Sequence, residues 1–448
     1  MAFRGGYSFT HFEGEAEPTP HDAPIPETAT VSLTGYGDVA CRPLTAEGSV
    51  IRAGEPLAAI GTLGTVFPSP AGGKVEKADS NVCVIRTDGD RSSAPVPGHP
   101  RTPRNMDRAQ LVEAFRASGC ALLFEGRFAD SDDFDVIRHV IVNAVKNGPL
   151  DRSWHPGVYG DPSLVSDGIE SLAALFPTAD ITIAANRRNR ARFESLDLRG
   201  RNLRILSDKY PQEFPELLAR DIYGIEPGTT DPSVLVVTYE DMIQTAECLT
   251  RGIPLIDRIF AVAGPGVSKP GWFRIRIGTP FSHIHHHLFK AEMYGPWRIV
   301  RGGVLTGTAV SSPDDETVSA ADREISVIRE HAERDLYRFV NPGFDYDSYP
   351  RVTMSTWLPI FKRRLDSNVH GGVRPCVQCN FCDEVCPVGI YPHLIKKQVA
   401  AGLMDESLRL RPDRCIGCGL CDYVCPSKID ISRSVLAARE ERQKRGET

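Results

Sequence analysis

The sequence predicts a multidomain chain of mixed class, α/β and α+β, and three observations predict it. Residues 28–87 carry short β-branched runs separated by glycine turns, residues 105–250 alternate apolar strand-type runs with helical periods, and the last 80 or so end in two cysteine runs of identical spacing. The first pattern belongs to a small β-sandwich, the second to a doubly wound parallel sheet covered by helices, and the third to a metal-binding module. With 448 residues, 41% hydrophobic and 25% charged, the chain has room for roughly three domains of about 150 residues.

Several classes are excluded at once. A formal net charge of −6 gives no basic face for nucleic acid. No run approaches the roughly 18 apolar residues of a membrane span, and the first residues lack the apolar core of a secretory signal. The expectation is a cytoplasmic-type chain, attached to a membrane only peripherally.

Taken in order, residues 1–26 hold Gly, Pro and acidic residues without strand or helix period, and read as an arm lying over a neighbouring domain. Residues 27–90 form the sandwich, with short strands around Val31, Val50, Leu57 and Val75. Their hairpins resemble the lipoyl/biotinyl carrier fold, but no lysine lies between Ala58 and Phe67, so covalent carriage of a cofactor is not expected. The glycine pattern Gly35-Tyr-Gly37 lacks a following helix and is set aside as a dinucleotide signal. A Pro/Gly/Ser linker precedes residues 104–252. There, helices over Asp107–Ser118, Ser163–Phe176, Glu213–Tyr223 and Tyr239–Arg251 alternate with strands at Val136–Val145, Asp180–Ala185, Leu203–Ser207 and Val234–Thr238. Residues 256–312 return to β, with runs at Arg258–Ala263, Gly271–Ile277, Trp297–Val300 and Val304–Thr308. The histidines His283, His285, His286 and His287 within it read as a solvated surface turn, because neighbours in one short stretch cannot all face one ion. Residues 320–366 are expected to be a helical connector, with helices at Glu324–Arg338 and Met354–Leu365, and residues 367–448 form the cysteine module with helices at Tyr391–Ala401 and Ser432–Arg445.

The cysteine runs carry the chemistry. Cys376, Cys379, Cys382 and Cys386-Pro387 are followed by Cys415, Cys418, Cys421 and Cys425-Pro426. Both follow C-x2-C-x2-C-x3-C-P, the spacing with which bacterial-type ferredoxins hold [4Fe-4S] clusters, and in it the fourth cysteine ligates the other cluster. This assigns Cys376, Cys379, Cys382 and Cys425 to one cluster and Cys415, Cys418, Cys421 and Cys386 to a second. Zinc sites use paired C-x2-C elements, and a disulfide framework belongs to small secreted domains, so neither explains a third cysteine at the same gap with a trailing Cys-Pro. The remaining four, Cys41, Cys83, Cys120 and Cys248, sit singly among apolar neighbours and read as buried hydrophobes.

With these blocks in order, the chain resembles the C subunit of Rnf complexes and the A subunit of the sodium-translocating NADH:quinone reductase, Nqr. Phe3-Arg4-Gly5-Gly6, Pro24-Ile25-Pro26 and the cysteine runs look like the Rnf subunit; Asp257–Pro265, Gly303–Thr308 and Ile325–Glu330 look like the Nqr subunit. The resemblance implies that residues 104–252 are related to the flavin and NADH domain of respiratory complex I and that 256–312 form a β-grasp, SLBB-like module. It also implies work as part of a redox-driven ion-translocating oxidoreductase of NADH:quinone or ferredoxin:NAD type. In such a complex the chain would sit on the inner face of the cell membrane beside membrane-embedded flavoprotein subunits. Ferredoxin, NADH or a reductase would be its soluble electron partner, and a quinone belongs to the same chemistry. Where the family has a glycine cluster before the first α/β strand, this sequence has Ser118–Phe128 with only Gly119 and Gly126. That argues against a tight FMN or NADH site, because a phosphate cradle needs bare backbone. The leading expectation is an electron-transfer subunit with two [4Fe-4S] clusters, not a complete enzyme alone. The alternatives are a self-contained FMN/NAD(P)H reductase and a non-redox subunit with structural clusters.

Overall fold

The computed structural model describes residues 3–34, 39–96, 106–124, 127–150, 161–229, 231–289, 297–330, 344–345, 347–349, 354–358, 360, 362–365, 367 and 374–446. The Gly35–Gly37 pattern and most of the stretch 331–373 lie outside them.

The N-terminal segment is not featureless. β1 (Glu17–Asp22) pairs parallel with a strand of a distant sheet described below. Pro18 and Pro20 hide this strand from sequence patterns, yet proline is tolerated at a sheet edge, and β1 is an edge strand. The sandwich follows. β2 (Thr28–Ser32), β3 (Cys41–Pro43), β4 (Val50–Ile51), β5 (Pro56–Ile60), β6 (Thr65–Pro68), β7 (Gly73–Ala78) and β8 (Val82–Thr87) divide into two sheets, ordered β2-β8-β7-β4 and β3-β5-β6. Val31, Leu57, Ile60, Phe67, Val75, Cys83 and Ile85 fill the space between them.

The next unit contains α1 (Arg108–Ala117), β9 (His139–Ala144), α2 (Ser163–Leu175), β10 (Asp180–Asn186), α3 (Arg190–Glu194), β11 (Asn202–Leu206), α4 (Pro215–Tyr223), β12 (Val234–Thr238) and α5 (Tyr239–Arg251). Its four strands are all parallel in the order β11-β10-β9-β12. Alternation along the strands explains the double winding. Val140, Val142, Ile183 and Leu235 pack with α2 and α5, while Ile141 and Ala184 pack with Leu218 of α4 on the opposite face. The strand order reverses between β9 and β12, which in open α/β sheets marks the usual ligand crevice. Here Lys146 and Glu240, both largely buried and 3.6 Å apart, sit at that reversal, and Lys146 lies 5.4 Å from the Trp272 ring.

β13 (Asp257–Ala263), β14 (Gly271–Arg276), α6 (Phe281–Leu288), β15 (Trp297–Arg301), β16 (Thr308–Ala309) and β17 (Glu324–Arg329) build a six-stranded mixed sheet, ordered β1-β14-β13-β17-β15-β16. Three expectations are corrected here. The histidines lie on a helix, α6, instead of a turn; Phe281 and Ile284 anchor it while His285, His286 and His287 face water. Glu324–Arg329 is a strand, not the start of a helix, so the sheet runs past residue 312. Its Ile-Ser-Val-Ile run suits the slot between β13 and β15, where both backbone edges find partners. Val304–Thr306 is a turn, closed by Gly307 N–H on the Gly303 carbonyl at 2.7 Å, and only Thr308–Ala309 is extended.

Of the expected helix at Met354–Leu365, the described residues form only α7 (Met354–Trp357). The sequence has a proline at 359, which cannot donate to a helical ladder. Arg363 instead exchanges backbone bonds with the N-terminal arm, donating to His11 and accepting from Glu13. The cysteine module closes the chain with α8 (Phe381–Glu384), α9 (Pro392–Ala400), α10 (Met404–Leu408), α11 (Leu420–Tyr423) and α12 (Ser432–Lys444).

A buried ion network couples the parallel-sheet unit to the mixed sheet. Asp241 of α5 pairs with Arg258 of β13 at 2.7 Å and with Arg323, and the Asp241 and Arg258 side chains are each only 1% exposed. Burial pushes the Asp241 carboxyl up, but the two guanidinium groups outweigh it and bring its pKa down to about 2. Its contribution to stability is therefore complete above the unfolded carboxylate value near about 3.9 and is lost as pH falls toward 2. Removing the carboxylate strands buried positive charge. Asp241→Ala is expected to cost about 3–5 kcal/mol, read as a lower urea midpoint at neutral pH than the wild type.

Candidate metal centre

Each cysteine run folds the same way. The residue before the second cysteine and the residue after it both take positive φ: Gln378 (55°) and Asn380 (61°) in the first run, Gly417 (69°) and Gly419 (74°) in the second. The second run meets this demand with glycine. The first uses Gln and Asn at a conformational cost on the order of 1 kcal/mol each, so the loop shape is imposed by what it must surround. The third cysteine lies within a single helical turn, α8 or α11, which is followed by Cys-Pro and then a longer helix, α9 or α12.

The fold brings the sequence-predicted residues together in crossed sets. Cys376, Cys379, Cys382 and Cys425 line one cavity, with Gln378, Asn380 and His393. Cys386 does not line it. Its charge is felt instead at Cys415, Cys418 and Cys421, which lie around it in the second set. None of the eight is disulfide-bonded. Cys41, expected to be buried, is half-buried, whereas Cys83, Cys120 and Cys248 are fully enclosed.

Five of the thiols, Cys382, Cys386, Cys415, Cys418 and Cys421, are costly to ionise as they stand. Burial raises Cys382 to about 12, with the nearby Asp383 adding to it. Burial likewise raises Cys415 to about 11 and lifts Cys418 and Cys421 well above the ordinary thiol value. Backbone N–H groups work the other way. Val388, Gly389 and Ile390 donate toward Cys386, Gly417 toward Cys415, Leu420 toward Cys418 and His393 toward Cys382. Thiols gathered in fours, several of them desolvated and met by N–H donors, fit iron–sulfur ligation: iron would supply the positive charge the site lacks, and N–H···S bonds would tune the cluster.

An aspartate follows the third cysteine in each run and fixes the next helix. Asp422 Oδ1 accepts from the N–H groups of Ile431 and Ser432 at 2.6 and 2.9 Å, at the start of α12. Asp383 Oδ1 lies 2.9 Å from Nδ1 of His393, at the start of α9. Cys382, Asp383 and His393 also form a group with metal-ligand reach among the described residues. Sequence reasoning did not single out these aspartates, although their shared position was a visible signal.

A 4Fe-4S dicluster domain family matches residues 375–429, and the family described as NQRA C-terminal domain matches residues 259–312. The fold and the site thus define an iron–sulfur protein of electron-transfer type, with a dicluster module behind a domain of Nqr type. Along its length the chain is related to the A subunit of Nqr. It is 28% identical over 402 residues to the A subunit of the Na(+)-translocating NADH-quinone reductase of Actinobacillus pleuropneumoniae serotype 5b, covering 85% of each chain. To the corresponding protein of the same name from Yersinia pestis bv. Antiqua it is 34% identical over 197 residues, 43% of this chain and 42% of that one. A crystal structure of an NAD+-reducing [NiFe]-hydrogenase in the air-oxidized state superposes with a TM-score of 0.40 at 14% identity, over 78% of this chain and 68% of that one. No helix among the described residues is long and apolar enough to cross a membrane.

Asp422→Ala removes the acceptor for the start of α12 and is expected to cost about 1–2 kcal/mol. The check is a lower melting temperature and faster amide exchange confined to residues 431–445.

Proposed function

We propose that the chain is the electron-transfer subunit of an Rnf- or Nqr-like membrane-associated oxidoreductase, holding two [4Fe-4S] clusters. One is ligated by Cys376, Cys379, Cys382 and Cys425, the other by Cys415, Cys418, Cys421 and Cys386. The single observation that carries this reading is the crossed gathering of the thiols, with Cys425 of the second run joining Cys376, Cys379 and Cys382 about one cavity, in a chain related over most of its length to a Na(+)-translocating NADH-quinone reductase subunit. When bound, the clusters supply one-electron chemistry; the protein's residues ligate, bury and hydrogen-bond them. Residues 367–448 are then the redox module, and 27–90, 104–252 and 256–312 are units that hold and dock it. Its partners are membrane-embedded flavoprotein subunits and a soluble donor or acceptor, with the chain peripheral on the cytoplasmic face.

The self-contained flavin reductase is disfavoured by how the expected phosphate loop is used. Cys120–Phe124 is a short 3-10 helix whose five side chains are all buried. Phe124 and Phe128 join an aromatic core with Phe115, Phe134 and Phe176. Gly119 has positive φ, but its bareness admits Pro68 of the sandwich, since a Cβ there would lie 2.5 Å from the proline ring. Glu125 and Gly126 lie outside the described residues. This packing leaves no bare backbone at Cys120–Phe124 for a flavin phosphate.

Three measurements test the reading. The isolated protein, reconstituted anaerobically, should contain about eight iron and eight acid-labile sulfide per chain, with visible absorbance bleached by dithionite; about four iron, or stoichiometric zinc, overturns it. Deleting residues 412–448 should damage both clusters, because each set includes a cysteine from the second run. NADH, with or without added FMN, should leave the clusters oxidised. Rapid bleaching with FMN retained through gel filtration would favour the flavin reductase.

A further inference from the structure

The opening motif Phe3-Arg4-Gly5-Gly6 has no role in ligation, yet it packs against the turn that carries Cys386. Gly6 N–H donates to the Val385 carbonyl at 2.8 Å. Gly5, with φ of 62°, approaches so closely that a Cβ would lie 2.7 Å from the Val385 carbonyl oxygen and 2.8 Å from that of Cys386. The Arg4 guanidinium covers Gly389, reaching 3.0 Å from where that glycine's Cβ would be. From the other side, Arg220 of α4 donates to the Pro387 carbonyl at 2.8 Å and lies 5.9 Å from the Phe3 ring. Tyr210 joins the same assembly. It exchanges backbone bonds with Tyr7, each 2.9 Å, and its hydroxyl donates to the Cys418 carbonyl at 2.7 Å.

These contacts converge on one stretch. Val385, Pro387 and Gly389 flank Cys386, and the N–H groups of Val388, Gly389 and Ile390 are the ones that donate toward its sulfur. The arm and α4 therefore hold both the cysteine and its hydrogen-bond donors, while Tyr210 holds the opposing Cys418 loop. We propose that Phe3–Tyr7, Arg220 and Tyr210 form a clamp that positions Cys386 against Cys415, Cys418 and Cys421. They are positioning residues, not ligands, and the inference rests on the reading of Cys386 as a ligand of the second cluster. Under the clamp the second cluster is assembled jointly by the module, the arm and the parallel-sheet unit.

The test compares Gly5→Ala, Arg220→Ala, Cys386→Ala and the control Gly64→Ala in the full chain, reading iron per chain and the EPR spectrum after dithionite. Gly64 also has positive φ, 81°, but nothing lies within 4 Å of its Cβ position, so alanine there adds backbone strain alone. Cys386→Ala should bring iron from about eight toward about four per chain and remove the magnetic interaction between two reduced clusters. Gly5→Ala should reproduce that loss in large part and Arg220→Ala partially, while Gly64→Ala keeps both clusters. If Gly5→Ala is insoluble, Arg220→Ala, checked for folding by circular dichroism, decides. Full iron in Cys386→Ala overturns the ligand reading itself. Loss of a cluster in Cys386→Ala, with both clusters and the wild-type spectrum kept in the folded clamp variants, overturns the clamp.

Discussion

Under the proposed ligation, the constraint on which the rest of this structure depends is that neither cysteine run completes a site alone. Three thiols would come from one loop and the fourth from the turn after the other, so the two loops must be built facing each other before either could bind. That requirement explains why Gln378 and Asn380 tolerate left-handed backbone. It explains equally why a buried aspartate anchors the helix behind one loop and an Asp–His pair the helix behind the other. Buried thiols that resist ionisation leave the site short of positive charge, and each N–H donor aimed at sulfur offsets part of that deficit.

The same constraint reaches outward through the N-terminal segment. Residues 3–7 press on the Cys386 turn, and Tyr7 and Phe9 pack against each other and against Tyr423, two residues beyond Cys421. Tyr349 bridges Tyr7 to Phe381, beside Cys382. Further along, Ala16 N–H reaches the Leu150 carbonyl, and β1 adds itself to β14. One extended stretch thus touches the redox module, the parallel-sheet unit and the mixed sheet in turn. Its own side chains have too little periodicity to fold locally, so its order comes from those three surfaces.

The sequence made legible whatever was encoded at short range. The cysteine spacing, the strand–helix alternation from β9 to α5 and the sandwich turns each depend on neighbours a few residues apart, and each lies where expected. Long-range pairing decided the rest. β1 carries two prolines that argue against a strand until an edge is available, and β17 looked like part of a charged helix because Arg329, Glu330 and the charges beyond outweigh a four-residue apolar core. The histidines of α6 were placed in a turn because their polarity masks the anchoring Phe281 and Ile284, which matter only once the sheet beneath exists. For the site, the grouping of the thiols was readable from spacing, whereas the glycine pair at 5 and 6 was visible only as a resemblance; its setting depends on a contact some 380 residues away.

The parallel-sheet unit is joined to the mixed sheet at the point where its strand order reverses. There, between β9 and β12, a buried Lys146–Glu240 pair lies beside Trp272 of the neighbouring sheet. A charge pair with so little access to water is stable only if its geometry and surroundings are fixed, and here the fixing element belongs to another unit. The Asp241–Arg258–Arg323 network, one residue along α5 from Glu240, ties the same two units together. Both sets of contacts thereby belong to one interdomain joint. The joint bears on the cysteine module as well: the positions of Arg220 and Tyr210, and with them Cys386 and Cys418, are only as well defined as the unit that carries them.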